Sequence, residues 1–214
     1  MKEYHKIQTL FKRDLNAPGK PMIEGDWTND DLRYLANNEW IFTEKVDGTN
    51  IRINLTTVEG VRIVRFGGRT DNAQIPTKLF VYLQDTFTPI LFDKAGLTNV
   101  TLYGEGYGAG IQSGGNYNPN EQKFVLFDVL VHTPEQDWWL GQLGVEDVAT
   151  KLGIEYVPQI GIGTLHDAIA MVKSGLKSQW GDFEAEGIVA RPAVQMFNRK
   201  GERIITKIKG RDFK

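Results

Sequence analysis

The chain has 214 residues, 41% of them hydrophobic and 11% aromatic, with a formal net charge of −2. That is ample material for a packed core, and so small a charge excludes gripping a polyanion by bulk attraction, so a nucleic acid would need a local basic patch. The absence of cysteine excludes disulfides, thiolate catalysis and Cys-based zinc sites and suits a reducing cytoplasm, the expected location, while no run approaches the roughly 18 apolar residues of a membrane span and the opening MKEYHKIQTLFKRD lacks the apolar core of a signal peptide.

In chain order, the patterning predicts a helix near 29–37, then strands at 39–46, 50–57 and 61–66, the last two joined by a turn at Glu59-Gly60. A helix follows near 77–94, then strands at 99–105 and 123–131 and helices at 145–152 and 165–174, the latter with Thr164 as its N-cap. Strands at 186–191 and 203–209 complete the pattern. Short turns between successive strands imply antiparallel pairing, so the fold class is α+β and not a doubly wound parallel sheet. No repeat, low-complexity tract or linker composition interrupts residues 1–214, which are therefore expected to form a single domain.

Charged residues fall at strand ends, where buried strands would not require them. The stretch EKVDGTN puts Glu44, Lys45 and Asp47 just before Gly48, although Asp-Gly alone is also a common hairpin signal. Glu105 closes TLYGE, Asp128 interrupts FVLFDVL, Glu186 opens EGIVARP, and Lys207 and Lys209 lie in TKIKG. Each alone would suit a solvated rim. Together they supply carboxylates and lysines on neighbouring strands, as a site for a metal-bound phosphate ester requires. From Arg199 to Lys214 there are seven basic residues (Arg199, Lys200, Arg203, Lys207, Lys209, Arg211, Lys214) against Glu202 and Asp212, a surplus of five. Within that segment RIITKIKG alternates like a half-buried strand, which places Lys207 and Lys209 on one face.

The ordered set EKVDGTN, LYGE, FVLFDVL, EGIVARP and TKIKG resembles motifs I, III, IIIa, IV and V of the covalent nucleotidyltransferases, the superfamily of polynucleotide ligases and messenger RNA capping enzymes. Asn50, together with GEGYGAGIQSGGNY, is similar to the RNA ligase 2 branch. The resemblance implies the nucleotidyltransferase, ATP-grasp-like fold, with antiparallel sheets flanked by helices. It also implies an ATP-dependent RNA ligase in which Lys45 becomes lysyl-AMP, passes AMP to an RNA 5′-phosphate and lets a 3′-hydroxyl seal the strand, most naturally in a nicked duplex. Lys207 and Lys209 would assist catalysis. Glu44, Asp47, Asn50, Arg69, Glu105, Phe127 and Glu186 would bind the nucleotide, Phe127 by stacking on adenine, with Arg52 and Arg65 as weaker contacts. Asp47, Glu105 and Glu186 would meet the water shell of Mg2+, which Mn2+ could replace.

The proposed nucleophile poses an electrostatic problem. Free lysine titrates near about 10.4, so holding half of it neutral near pH 7.4 costs roughly 4 kcal/mol. Neighbouring cations supply that by penalising the ammonium form. A DNA ligase, a capping-type guanylyltransferase, or a nucleic-acid binding module with a silent site are the alternative readings. Only Arg211, Asp212, Phe213 and Lys214 follow Gly210, so no C-terminal OB or helical domain is expected in this chain. GEGYGAG reads as a loop and not a Rossmann turn, His5, His132 and His166 lack metal-ligand spacing, and Trp138-Trp139 reads as packing. Oligomeric state is left open, and no membrane partner is expected.

Overall fold

The computed structural model describes residues 1–213. In chain order the strands are β1 (Gln8–Thr9), β2 (Phe11–Arg13), β3 (Met22–Trp27), β4 (Trp40–Glu44), β5 (Thr49–Val58), β6 (Val61–Gly67), β7 (Val100–Gly108), β8 (Gln122–His132), β9 (Asp137–Trp139), β10 (Gln159–Gly163), β11 (Gly187–Pro192) and β12 (Thr206–Lys209). The α-helices are α1 (Asp30–Tyr34), α2 (Thr77–Thr86), α3 (Pro89–Lys94), α4 (Gln142–Leu152) and α5 (Leu165–Lys173). The α+β class and the antiparallel pairing agree with the sequence reading, apart from one parallel pair between β1 and β12.

Two compact units form, one from Met1–His5 with Asp47–Val157, the other from Lys6–Val46 with residues 158–213. A single domain is what the sequence suggests, because the chain passes between the units at His5/Lys6, Val46/Asp47 and Val157/Pro158 without any linker composition at these points.

The first unit is built on a sheet of order β6-β5-β7-β8-β9. Ile51, Ile53 and Leu55 alternate along β5 and pack with Leu102, Phe124, Leu126 and the apolar faces of α2, α3 and α4. On the opposite face Arg52, Tyr103 and Asp128 are also buried. The N-terminal residues satisfy them: Tyr4 donates its hydroxyl to Asp128 at 2.8 Å, Tyr103 donates to the Lys2 carbonyl at 3.0 Å, and Arg52 donates to the Met1 carbonyl at 2.9 Å. The β5–β6 connection is the expected Glu59-Gly60 turn, with φ of 50° and 80° at its two central residues, as a tight right-twisting hairpin needs.

The second unit is a sheet of order β1-β12-β11-β4-β10 with a separate β2–β3 pair. Trp40 and Phe42 of β4, Ile188 and Ala190 of β11, and Ile208 of β12 pack with Leu165, Ala168, Ile169 and Val172 of α5. Thr164 caps α5 as expected, in a reciprocal box with Asp167.

Three local expectations are corrected. The helix near 77–94 is two helices, because Pro89 lacks the N–H that a continuous helix needs there and Thr88 caps the second one. The strand at 203–209 is shortened to Thr206–Lys209. GEGYG is not loop: β7 runs through Gly108, and its glycines make room for close packing. A Cβ on Gly104 would lie 2.2 Å from the Phe124 ring and 2.3 Å from the Val125 carbonyl. Gly104→Ala is therefore expected to destabilise the chain by about 1–3 kcal/mol or more. Gly115→Ala, with open space around its added carbon, should leave the thermal midpoint near wild type.

Candidate active site

Register alone brings the lysine of EKVDGTN to the acid of EGIVARP. Strand β11 lies between β4 and β12, with Ile188 opposite Glu44 on one side and Ile208 on the other. One residue along, the Lys45 N–H donates to the Gly187 carbonyl at 2.9 Å while Lys209 pairs with Gly187 from the other side. Lys45 and Lys209 thus flank the start of β11, where Glu186 stands. Gly187 permits this: a Cβ there would meet the Ile208 carbonyl at 2.0 Å. The two lysines close on Glu186 at 2.5 Å each, Lys45 on Oε2 and Lys209 on Oε1. The side chains are 20%, 13% and 13% exposed for Lys45, Glu186 and Lys209, so the cluster is largely shielded yet reachable.

Burial pushes the Glu186 carboxyl up, but the charge of Lys45 and the hydrogen bonds from Lys209 and Lys45 outweigh it and hold its pKa below the ordinary value. Lys207 is two residues before Lys209 on β12, so the alternation puts the two on one face, with Ile208 pointing into the core. Glu44 is placed differently. Its carboxylate is buried and accepts hydrogen bonds from the Ser178 hydroxyl at 2.6 Å and the Gln179 N–H at 2.7 Å. Burial raises its pKa, and these two hydrogen bonds only partly offset that.

The remaining candidates belong to the first unit. Asp47 accepts from the Ser113 N–H at 3.3 Å, and the Asp47 N–H donates to the Tyr117 hydroxyl at 3.4 Å. Asp47-Gly48 does not turn a hairpin, because β4 and β5 lie in different sheets. Gly48 is instead required by proximity to β7: a Cβ would lie 2.2 Å from the Gly106 carbonyl and 2.9 Å from Cγ of Glu105. Asn50 is the cross-strand partner of Glu105, and its Oδ1 is buried without a hydrogen-bond partner. A buried acceptor left so costs about 1–3 kcal/mol unless a water or ligand donor completes it.

Phe127 occupies a β-bulge. Tyr103 pairs with Asp128 and Gly104 with Leu126, which leaves Phe127 as the extra residue. The bulge lets Phe127 and Asp128 both approach Tyr4, whose ring lies edge-on to Phe127 at 5.0 Å. Arg69 and Arg65 are exposed. Arg52, a weaker candidate for a nucleotide contact, has a fully buried side chain: besides the Met1 carbonyl it holds the Gly68 carbonyl at 2.6 Å and Asp71 at 2.8 Å. Of the histidines, His132 bridges Thr101 at 2.8 Å and Asp137 at 2.7 Å. Among the described residues no three His, Asp or Glu side chains gather as a metal cage. Ser178 and Gln179, which fix Glu44, carry no sequence signal that would have singled them out, whereas Tyr117, beside Asp47, closes the stretch GEGYGAGIQSGGNY.

The family model for RNA ligase matches residues 38–209. Comparison with curated proteins gives no match. Among solved structures, a Naegleria gruberi RNA ligase mutant with ATP and manganese aligns with a TM-score of 0.64 at 16% identity, over 84% of this chain and 52% of that one. The same organism's RNA ligase with pyrophosphate aligns at 0.62 and 16%, over 100% and 63%. A further mutant with AMP and manganese aligns at 0.63 and 14%, over 97% and 62%. At such identities the likeness is one of fold, and this chain spans between about half and under two thirds of the length of those ligases.

The Glu186 cluster has a measurable pH signature. Its folded pKa is depressed, so its contribution to stability is present above the unfolded value of about 4.3 and is lost as pH falls through the folded value. Glu186→Gln should therefore unfold at lower urea than wild type at pH 7, with the difference fading as pH drops below about 4. Glu44 has the opposite sign, favouring the folded state below its unfolded value and losing that as pH rises through its raised pKa. It is common to both proteins and cancels in the comparison.

Proposed function

The chain belongs to the RNA ligase family, and from that premise we propose that it is an ATP-dependent RNA ligase working through Lys45. The observation that carries this reading is the meeting of Lys45, Glu186 and Lys209 at the ends of three adjacent strands. Family membership supports the class of reaction, and this cluster supports the assignment of roles.

In the first step the Lys45 amine attacks the α-phosphorus of ATP, a P–N bond forms, the bond to the β-phosphate breaks, and pyrophosphate leaves. Glu186 orients Lys45 beforehand by accepting its hydrogen bond, and Lys209 balances the carboxylate from the other side. As the ion pair stands, Glu186 favours the ammonium form of Lys45, so reaction requires the proton to leave and the carboxylate to exchange partners. Lys207 and Lys209 then face the charge that builds on the transferred phosphoryl group, where positioned cations lower the barrier most.

Mg2+ or Mn2+ fits this donor set as an ion brought in on the nucleotide's phosphates, since magnesium is commonly held by one or two carboxylates and phosphates and not by a protein cage. Such an ion would add positive charge beside Lys45 and the phosphates. Glu186 would meet its water shell, with Asp47 and Glu105 as further candidates. Phe127, at its bulge, is the ring assigned to stack on adenine. Asn50 offers an unpartnered acceptor to a donor of the nucleotide.

In the second step an RNA 5′-phosphate oxygen attacks the bound AMP and the P–N bond breaks, returning Lys45. In the third a 3′-hydroxyl displaces AMP, and a nicked duplex favours this by holding both ends in line. RNA with a 5′-phosphate and a 3′-hydroxyl is thus the proposed partner, and a reducing cytoplasm the proposed setting. No helix among the described residues is long and apolar enough to cross a membrane.

Incubation with ATP and a divalent metal, followed by intact-protein mass spectrometry, should reveal one added AMP, acid-stable and hydroxylamine-sensitive. Lys45→Ala and Lys45→Arg should both abolish it, since a guanidinium stays protonated. Adduct surviving in Lys45→Ala would sink the assignment. Glu186→Ala and Lys207→Ala should slow adduct formation by orders of magnitude. Phe127→Leu should be milder than Phe127→Ala, because an aliphatic surface partly replaces a stacking one; equal losses would place the ring's role in packing alone.

A further inference from the structure

The second unit holds a cavity of about 560 Å³ whose wall is strongly basic. Lys6, Arg13, Lys207, Lys209 and Arg211 line it, against the carboxylate of Asp212. Arg13 and Lys209 are held by carboxylates. Arg13 is ion-paired to Asp212, whose side chain is only 2% exposed, and also donates to the Lys20 carbonyl at 3.1 Å. Lys209 is balanced by Glu186. No ion pair among the described residues engages Lys6 or Arg211, and both are exposed to solvent at the wall.

The parallel pairing of β1 with β12 explains how these residues meet. Thr9 stands opposite Lys207, so the N-terminal strand carries Lys6 to the same wall as the lysine face of β12, and the 3₁₀ turn Gly210–Phe213 adds Arg211 directly after it. Like charges collected in a small space repel, and in a chain of net charge −2 their gathering is a local arrangement and not a consequence of composition. A multiply charged oxyanion relieves that repulsion. No aromatic ring lines the cavity among the described residues, so a nucleobase has nothing to stack on there. Phosphate is the group that a guanidinium fork and lysine ammoniums hold together. Because Lys209 also belongs to the Lys45 cluster, an anion in this cavity lies beside the proposed reacting centre.

We propose that this cavity is a docking site for a terminal phosphate group, held by Lys6 and Arg211 together with Lys207; the proposal rests on the ligase reading of Lys45. Two sources carry that group: the 5′-phosphate of an RNA end and the diphosphate that ATP releases. Lys6 and Arg211 then act in binding and do not join the nucleophile.

The test uses the full chain carrying Lys45→Ala, in which no AMP transfer proceeds, so the readout stands whether or not Lys45 is the nucleophile. Its affinity is measured for two RNA oligonucleotides of one sequence, ending in 5′-phosphate or 5′-hydroxyl, and for inorganic pyrophosphate. The 5′-phosphate should bind more tightly than the 5′-hydroxyl, or pyrophosphate should bind directly. Adding Lys6→Ala with Arg211→Ala should weaken that preference or that binding about tenfold. Lys6→Arg, which keeps the charge, should retain most of it and guards against a loss caused by misfolding. Loss confined to the 5′-phosphate preference assigns the RNA end, loss confined to pyrophosphate assigns the ATP diphosphate, and loss of both assigns a shared site. Unchanged binding in the double variant, or equal losses in Lys6→Arg and Lys6→Ala, would overturn the proposal. The ligase reading fails separately, if native Lys45 takes no AMP while this anion binding persists.

Discussion

The carboxylate of Glu186, held between the ammonium groups of Lys45 and Lys209, is the constraint on which the rest of the site depends. Each oxygen takes one lysine, so one carboxylate places both amines. Three strands must be in register for this to happen, and the register is fixed by what lies behind them: Phe42, Ile188 and Ile208 all point into one core against α5. A slip of one residue in any strand would expose those side chains and reverse the face carrying the charges. Packing on one face of the sheet thereby positions the ion cluster on the other. An ion cluster of this kind adds little to stability that well-packed apolar residues would not supply, since desolvation offsets most of the attraction. Its value lies in where it holds an amine.

The stretch EKVDGTN divides its work between two units. Glu44 and Lys45 belong to the sheet of β4 and β11, whereas Gly48 is fitted to β7 through the Gly106 carbonyl and the Glu105 side chain, Asn50 pairs with Glu105, and Asp47 meets Ser113 and Tyr117. Gly48 is therefore fixed by close approach and not by the positive φ of a turn. Each residue answers to a different neighbour, and the two cores separate between Val46 and Asp47.

Much of this was legible because strands and charges leave periodic traces. Alternation found β5, β6 and β12, and the charges at Lys45, Glu105, Glu186 and Lys209 stood out against it, although Glu105 lies inside β7 and not at its end. Where the trace was absent the reading failed for definable reasons. Strands β1, β2, β3, β9 and β10 are short or edge elements with little alternation to detect. The glycines of GEGYG read as loop because their purpose, to let the Phe124 ring and Leu79 approach the backbone, depends on residues distant in sequence. The break at Thr88-Pro89 was readable in principle, since proline at the first turn of a helix follows a known rule. Lys200 and Arg203 were grouped with the basic C-terminal segment by sequence proximity, but it is Lys6 and Arg13, from the other end of the chain, that share a wall with Arg211. Lys214, counted in the same segment, lies outside the described residues.

The buried charges separate into two kinds by their partners. Arg52 donates to two backbone carbonyls and to Asp71, and Glu44 accepts from a backbone N–H and from Ser178. Those partners are largely fixed by the fold, and removing either charge would strand them. Glu186 differs, because both its ion-pair partners are ammonium groups at the ends of four-carbon stems. Such partners can withdraw without moving backbone, so Glu186 can exchange them for others of the same sign. Asn50 marks a third case, an acceptor with no protein partner at all. From the sequence, Glu44 and Glu186 are both acids at a strand end beside a lysine-bearing motif. What distinguishes Glu186 from Glu44 is whether its partners can leave, and that is decided by groups brought together only in the folded chain.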